Sequence, residues 1–381
     1  MKRTTVQDIS EIAHQAKEFS GRLQEIKSGI GEREFSWYPY GSLNNVHALS
    51  KLLKGRFRTL ISELSGGVLL DVGSADGDMA FFLESLGFHV IVIDNPETDY
   101  NRMRGIVALK AALNSQIEIV TADVDSRFSL PEGRYDLAFL LGVLYHLKNP
   151  FYVLELLSRH VRFCFLSTRV ARFTPEHIEI QNAPVAYLLG EDELNHDCTN
   201  FWIFSDAGLK RLLNRAGWEI CDYLTIGDTK QSTPDTLEHD ERAFCLMRSY
   251  HFGVQPLTPK MIKGWHSTEG PWRWTERVFS VELDPPERPG NLVLEMDFVY
   301  PGPLKQRVNE LRIRGSVNGT SLGEVQYSAM GEHFYRLHVP GDLVRTSKIV
   351  VECELSDAIP PDSTDLRERG IIVPNAGFRW V

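Results

Sequence analysis

Apolar and polar positions divide the chain into three regimes. Over residues 1 to about 30, Val6, Ile9, Ile12, Ala13, Ala16, Phe19, Leu23 and Ile26 recur at helical spacing. They predict an amphipathic helix, with Gly21 as the position where it would break. A second helix after Asn45 carries Leu49, Leu52, Leu53, Phe57, Leu60 and Ile61 on one stripe. From residue 68 to about 249, short continuous apolar runs alternate with helical stretches. The runs cover 68–70, 90–93, 117–120, 135–141 and 162–166; the helices fall near 100–113, 150–160 and 206–216. Uninterrupted apolar strands separated by helices mean a parallel sheet covered on both faces. Two further runs, 219–225 and 242–247, are joined by a polar loop too short for a helical crossover, so they predict an antiparallel pair. Past His251 the period becomes two: Leu292, Leu294, Met296 and Phe298 alternate with the residues between them, and so do Tyr335, Leu337 and Val339. Asn318-Gly319 sits between two such runs as a hairpin turn.

The expected fold is α/β: a doubly wound, Rossmann-like sheet with an antiparallel last strand, followed by an all-β sandwich. The expected domains are a helical cover over 1–64, the α/β domain over 65–252 and the sandwich over 253–381. A length of 381 residues suits more than one core. Composition narrows the function. A net charge of −10 works against a broad phosphate-binding surface. The five cysteines are scattered without a CxxC pair, which argues for free thiols in a reducing compartment and against zinc. No apolar run approaches the ~20 residues of a membrane span. The expectation is a cytoplasmic protein with no membrane role.

The chemistry concentrates between residues 68 and 94. A buried strand turns through Asp71-Val72-Gly73-Ser74-Ala75-Asp76-Gly77 into a helix, and the next strand ends on Asp94. A glycine-bearing strand-to-helix turn lets backbone N–H groups approach a ligand, and an acid at the next strand tip accepts from ribose hydroxyls. The spacing is G-x-A-x-G, not the G-x-G-x-x-G of dinucleotide folds.

Asp71-x-Gly73, Asp94 and Asp123 follow three successive strands, and this arrangement resembles the S-adenosylmethionine signature of class I methyltransferases. The resemblance implies that the 73–77 turn passes under the methionine and ribose. It further implies that Asp94 holds the ribose and that Ala122 and Asp123 flank the adenine. Asp71, Gly73, Ser74, Ala75, Gly77, Asn95, Val124, Leu141 and Gly142 complete the expected cofactor set. A narrower likeness lies in YDLAFLLGVLYHLKNP (135–150), with WYPYGSLNN before it and NFWIFSDAGLKRLLNRAGWE (200–219) after it. These segments resemble the tRNA wobble-uridine carboxymethyl- and methyltransferases and their relatives. That likeness implies a pocket floor of Gly142, Val143, Tyr145 and His146, with residues 200–202 in a substrate-side insertion. The segments GWHSTEGPWRWT, SVNGTSLG and STDLRERGIIV resemble a β-sandwich appended to bacterial glycan-biosynthesis enzymes. Trp265, Trp272 and Trp274 would there either stack on a sugar or plug the end of the sandwich.

His146 is the expected general base, since an imidazole titrates near neutrality, and Tyr145 the residue that places the acceptor. Tyr40, Arg169, His196 and Trp202 are the substrate-side candidates, with His196 and Asp197 as a second acid–base pair. Three readings follow: O-methylation of a small-molecule or carbohydrate acceptor, modification of tRNA, or a non-catalytic scaffold with a vestigial cofactor fold, against which the intact Gly73, Gly77, Asp94 and Asp123 argue.

Overall fold

The computed structural model describes residues 3–31, 35–126, 128, 130, 134–194, 196–251, 255–286, 292–375 and 377–380. Residues 32–34, ahead of the WYPYGSLNN segment, and Asn195, beside His196, lie outside the described residues. In chain order, a short strand β1 (Arg3–Val6) precedes helices α1 (Ile9–Ile30), α2 (Asn45–Leu52) and α3 (Leu60–Glu63). The α/β region follows: β2 (Val68–Val72), α4 (Asp78–Ser85), β3 (His89–Asp94), α5 (Arg104–Leu113), β4 (Glu118–Thr121) and β5 (Tyr135–Leu141). It continues with α6 (Pro150–His160), β6 (Val161–Ala171), β7 (Ala186–Leu188), β8 (Trp202–Ser205), α7 (Asp206–Arg215), β9 (Trp218–Gly227) and β10 (Glu241–Ser249). Then come β11 (Gln255–Pro256), β12 (Lys260–Trp265), β13 (Trp272–Leu283), β14 (Leu292–Tyr300) and α8 (Gly302–Arg307). The last strands are β15 (Leu311–Val317), β16 (Thr320–Tyr327), β17 (Gly331–Val339), β18 (Ile349–Leu355), β19 (Ile372–Pro374) and β20 (Phe378–Trp380).

The chain forms two compact units. One gathers residues 13–53 and 64–252; the other gathers 1–12, 54–63 and 253–381. In the first, strands run in the order β4-β3-β2-β5-β6-β10-β9. β2, β3, β4, β5 and β6 pair in parallel, and β10 lies antiparallel to both β6 and β9. The Rossmann-like sheet with its reversed strand is therefore present. The physical basis is burial on both faces: all of β6 and most of β5 are inaccessible, so neither could tolerate polar alternation. The order reverses between β2 and β5, and the carboxyl ends of those strands open the crevice where such sheets bind ligands.

The second unit is mostly antiparallel. One sheet runs β1-β16-β15-β18-β13, the long strand β13 continues into pairing with β19, and β14 joins β17, β19 and β20. Phe279, Phe298, Tyr300, Leu311, Tyr327, Tyr335 and Trp380 belong to its single core. Asn318 and Gly319 both have positive φ (48° and 80°), as the expected hairpin between β15 and β16 requires. Trp265 donates Nε1 to the Ser280 carbonyl at 2.8 Å and packs edge-on against Phe279. Trp274 lies partly buried against the same core, with Arg369 6.0 Å above its ring. Both tryptophans are partly buried against that core.

The N-terminal 64 residues do not form one cover. Residues 3–6 are a strand paired with β16, not the start of the helix, and α1 runs through Gly21 without a break. The stripe expected to be one helix is divided at Leu53, whose backbone is extended (φ −77°, ψ 103°). Beyond it, residues 54–63 are claimed by the β unit. Glu63 accepts from the amide of Phe334 at 3.1 Å and from the Thr59 hydroxyl at 2.9 Å, and Arg58 donates to the Met330 carbonyl. Helical periodicity recorded burial of Leu60 and Ile61, but not that their segment belongs with the β unit.

Candidate active site

The turn after β2 is built from unusual backbone. Gly73 donates its N–H to Ile93 O at 2.9 Å, and Gly77 opens α4 at φ +80°, where a Cβ would lie 2.7 Å from Ile106. Ala75 also adopts positive φ (52°), a left-handed conformation that costs a β-carbon residue roughly 1–2 kcal/mol. Its N–H points at Asp94 Oδ2, 3.3 Å away, and the Asn95 amide donates to Asp94 Oδ1 at 2.8 Å. Asp94 thus stands beside the turn at the tip of β3.

Two polar atoms in this turn are buried without a hydrogen-bond partner: Asp71 Oδ2 and Ser74 Oγ. Burial, followed by the charge of Asp94, pushes the Asp71 carboxyl up to about 7. Burial, followed by the charge of Asp99, pushes Asp94 up to about 6. Orphaned buried acceptors and carboxylates short of counter-charge suit a ligand that brings hydroxyl donors and a cation. Asn95 caps the following loop through its side chain to the Glu97 amide (3.1 Å). Asp123, after β4, is exposed and accepts from the Asp125 amide at 3.0 Å, and Val124 packs on the core. Leu141 ends β5, and Gly142 donates to Ser167 O at 2.9 Å.

The expected pocket floor also has a defined geometry. A 3-10 turn over Leu144–His146 follows Gly142-Val143, and the Tyr145 and His146 rings lie 4.3 Å apart. His146 Nδ1 is 3.2 Å from the Thr199 carbonyl and 3.0 Å from the Thr199 hydroxyl, which itself donates to Asp197 Oδ1 at 2.6 Å. A carbonyl can only accept, so Nδ1 carries the proton and Nε2 keeps a lone pair. Burial holds the His146 pKa below the ordinary imidazole value, against the opposing pull of Thr199 and Asp197. Asp197 therefore belongs behind His146. His196, exposed and at φ 54°, does not pair with it.

The other substrate-side expectations fare differently. Arg169 is 1% exposed, 2.7 Å from Asp240 and bonded to the Thr236 carbonyl at 2.7 Å, so part of its guanidinium is held by the fold. On the paired strand Arg242 reaches Tyr145, with Nη2 3.5 Å from the phenol oxygen. Tyr40 is 67% exposed, whereas Tyr38 is drawn inward. Trp202 lines a cavity of about 540 Å³ with Pro150, Phe151, Tyr152, Phe204 and Leu212, and donates Nε1 to the Lys148 carbonyl at 3.3 Å. Among the described residues, no group of three or more His, Cys, Asp or Glu side chains is arranged to hold a metal. None of the helices there is long and apolar enough to cross a membrane.

Sequence reasoning passed over Lys27, Asp76, Asn101, Thr199 and Arg242. One signal was present. Lys27 occupies the next position of the stripe Ile12, Ala16, Phe19, Leu23, and it is buried where Ile26 is only half-buried. A cation on an apolar stripe requires a buried anion, and Asp76 and Asp78 supply two.

Residues 46–223, which hold the turn and the His146 loop, match a family model described as a methyltransferase domain. No curated protein matches the chain. Among solved structures, it is similar to the N-terminal domain of EvdMO1 crystallised in the presence of SAH and D-fucose. Those chains are 16% identical, over 61% of this chain and 96% of that one, with a TM-score of 0.38. An S-adenosylmethionine-dependent methyltransferase from Mesorhizobium loti is 14% identical over 54% and 97% of the two chains (TM-score 0.38). One from Aquifex aeolicus is 17% identical over 48% and 83% (TM-score 0.32).

Proposed function

Starting from an S-adenosylmethionine-dependent methyltransferase domain in residues 46–223, we propose that this enzyme methylates a hydroxyl oxygen on a small-molecule or glycan acceptor. Asp71, Ser74, Asp94 and the amides of the 73–77 turn would hold the donor, since they are the buried groups short of partners. When bound, S-adenosylmethionine supplies an electrophilic methyl group on a positively charged sulfur.

The observation that carries the oxygen assignment is the hydrogen bond from His146 Nδ1 to the Thr199 carbonyl. It fixes the tautomer whose Nε2 can take a proton from an acceptor hydroxyl, and burial keeps that nitrogen unprotonated at neutral pH. A neutral amine acceptor already has a free lone pair to attack with and has less need of such a base. Tyr145, 9% exposed and packed at a tilt against the same ring, orients the acceptor and keeps water from it. The net charge of −10 weighs against a polyanionic acceptor such as tRNA.

The test is methyl-label transfer screened against nucleotide sugars, oligosaccharides and bulk tRNA. Label on a sugar or alcohol oxygen, lost in His146→Ala, supports the reading. Label on tRNA alone, or full turnover by His146→Ala, removes it.

A further inference from the structure

Asp76 is the most heavily engaged side chain of the 73–77 turn, and its partners are Lys27, Tyr38 and Asn101. Oδ2 accepts from Lys27 Nζ at 3.0 Å and from the backbone N–H of Tyr38 at 2.9 Å, while Oδ1 accepts from Asn101 Nδ2 at 2.8 Å. Asn101 in turn donates to the Ser36 carbonyl at 3.3 Å and accepts from the Gly105 amide at 3.0 Å. A side chain at Gly105 would come within 2.0 Å of Asp76 Oδ1, so the carboxylate occupies the space that glycine leaves. Lys27 Nζ also lies 5.3 Å over the Trp37 ring.

Three consecutive residues, Ser36, Trp37 and Tyr38, are thus tied to one carboxylate of the turn. Tyr38 runs on toward the methyl-transfer side. Its ring meets Tyr100 at 5.8 Å, and its phenol is near enough to Tyr145 and Arg242 for their charges to act on it. Burial, then Tyr145, pushes the Tyr38 pKa up to about 12, so the group stays a neutral hydrogen-bond donor at working pH.

We propose that Asp76 is a positioning residue that fastens segment 35–40 as a strap across the donor turn, so that donor binding and the placing of Tyr38 beside Tyr145 are one event. The proposal rests on the donor reading of this turn but concerns a residue that does not itself hold the donor. The fastening is made wholly by the chain's own groups, since Lys27, Asn101 and the Tyr38 amide all meet Asp76. With donor present, the turn and strap reinforce each other, because both are stiffened through the same carboxylate.

Hydrogen exchange and calorimetry with S-adenosylhomocysteine, on the full chain, decide it. In the wild type the Tyr38 amide is protected without ligand and more protected with it. Asp76→Asn, whose side-chain amide cannot accept at Oδ2, raises Tyr38 exchange and weakens S-adenosylhomocysteine at least ten-fold. Tyr38→Ala weakens it too, and the double variant loses no more than the worse single one. If Asp76→Asn fails to fold, Asn101→Ala removes the Ser36 tie and the Oδ1 bond and is expected to loosen exchange over 36–38. A Tyr38 amide that exchanges like an exposed loop, full ligand affinity in folded variants, or additive losses would each overturn the proposal. A wild type that binds no S-adenosylhomocysteine would instead overturn the donor assignment, and the exchange data would still judge the fastening.

Discussion

Lys27 and Asp78 form an ion pair of 2.8 Å in which both side chains are only 7% exposed, and Asp76 shares the same ammonium at 3.0 Å. One buried cation therefore serves two buried carboxylates. Burial raises the Asp78 pKa, and Lys27 only partly offsets it. Removing the cation leaves two uncompensated charges. Lys27→Met should cost about 3–5 kcal/mol of stability in the α/β unit. Asp78→Asn, which removes the surplus negative charge, should cost far less. Urea unfolding of the two variants checks the contrast.

The left-handed Ala75 offers a stabilising substitution. Glycine at φ 52° escapes the steric cost of the β-carbon, though it gains freedom in the unfolded chain. The net gain expected for Ala75→Gly is up to about 1 kcal/mol, read as a higher urea midpoint without loss of donor affinity.

Asp71 and Asp94 make the free protein sensitive to pH. Their folded pKa values, about 7 and about 6, lie above those of exposed aspartates. The folded state therefore holds protons that the unfolded state releases. Their contribution to stability is complete below about pH 4 and is lost as pH rises toward 7. A cationic donor restores the balance, so donor affinity should strengthen as pH rises from 5 to 7.5. Asp71→Asn should flatten both profiles. Melting curves and calorimetry across that range, with and without donor, measure it.

On the proposed function, a buried His146 base with a lowered pKa predicts that the acid limb of kcat falls below the ordinary histidine range of about 6.5. His146→Ala should lose about 10²–10⁴-fold in kcat with donor affinity intact. Thr199→Val removes the hydroxyl between Asp197 and His146 but keeps the carbonyl bond. It should therefore lower kcat by about ten-fold or less and move the acid limb, with little change in KM.

In the β unit, Glu63 collects the Phe334 amide and the Thr59 hydroxyl beside His333, all buried. Glu63→Ala would leave both donors without an acceptor and should cost about 2–3 kcal/mol, seen as a lower unfolding midpoint of that unit.

Much of the α/β unit was legible because its signals are local. An apolar run such as 135–141, short and set between helical stretches, reads as a doubly buried strand, and β5 spans those residues. The polar loop before Arg242 was too short for a crossover, and β9 and β10 pair antiparallel. Other features were not legible. Nothing in 186–188 or 202–205 announced β7 and β8, because two short strands added at the end of β6 carry too few residues for a period to emerge.

What the sequence determined by itself was the alternation of strands and helices, the glycine turn and the acid at the end of β3. Each depends on residues close together in the chain. What the tertiary structure decided was partnership: Lys27 to Asp76 across 49 positions, His146 to Thr199 across 53, and residues 54–63 to the β unit. The physical reason is that periodicity reports whether a side chain is buried, whereas the charge or carbonyl that meets it is set by which elements pack together.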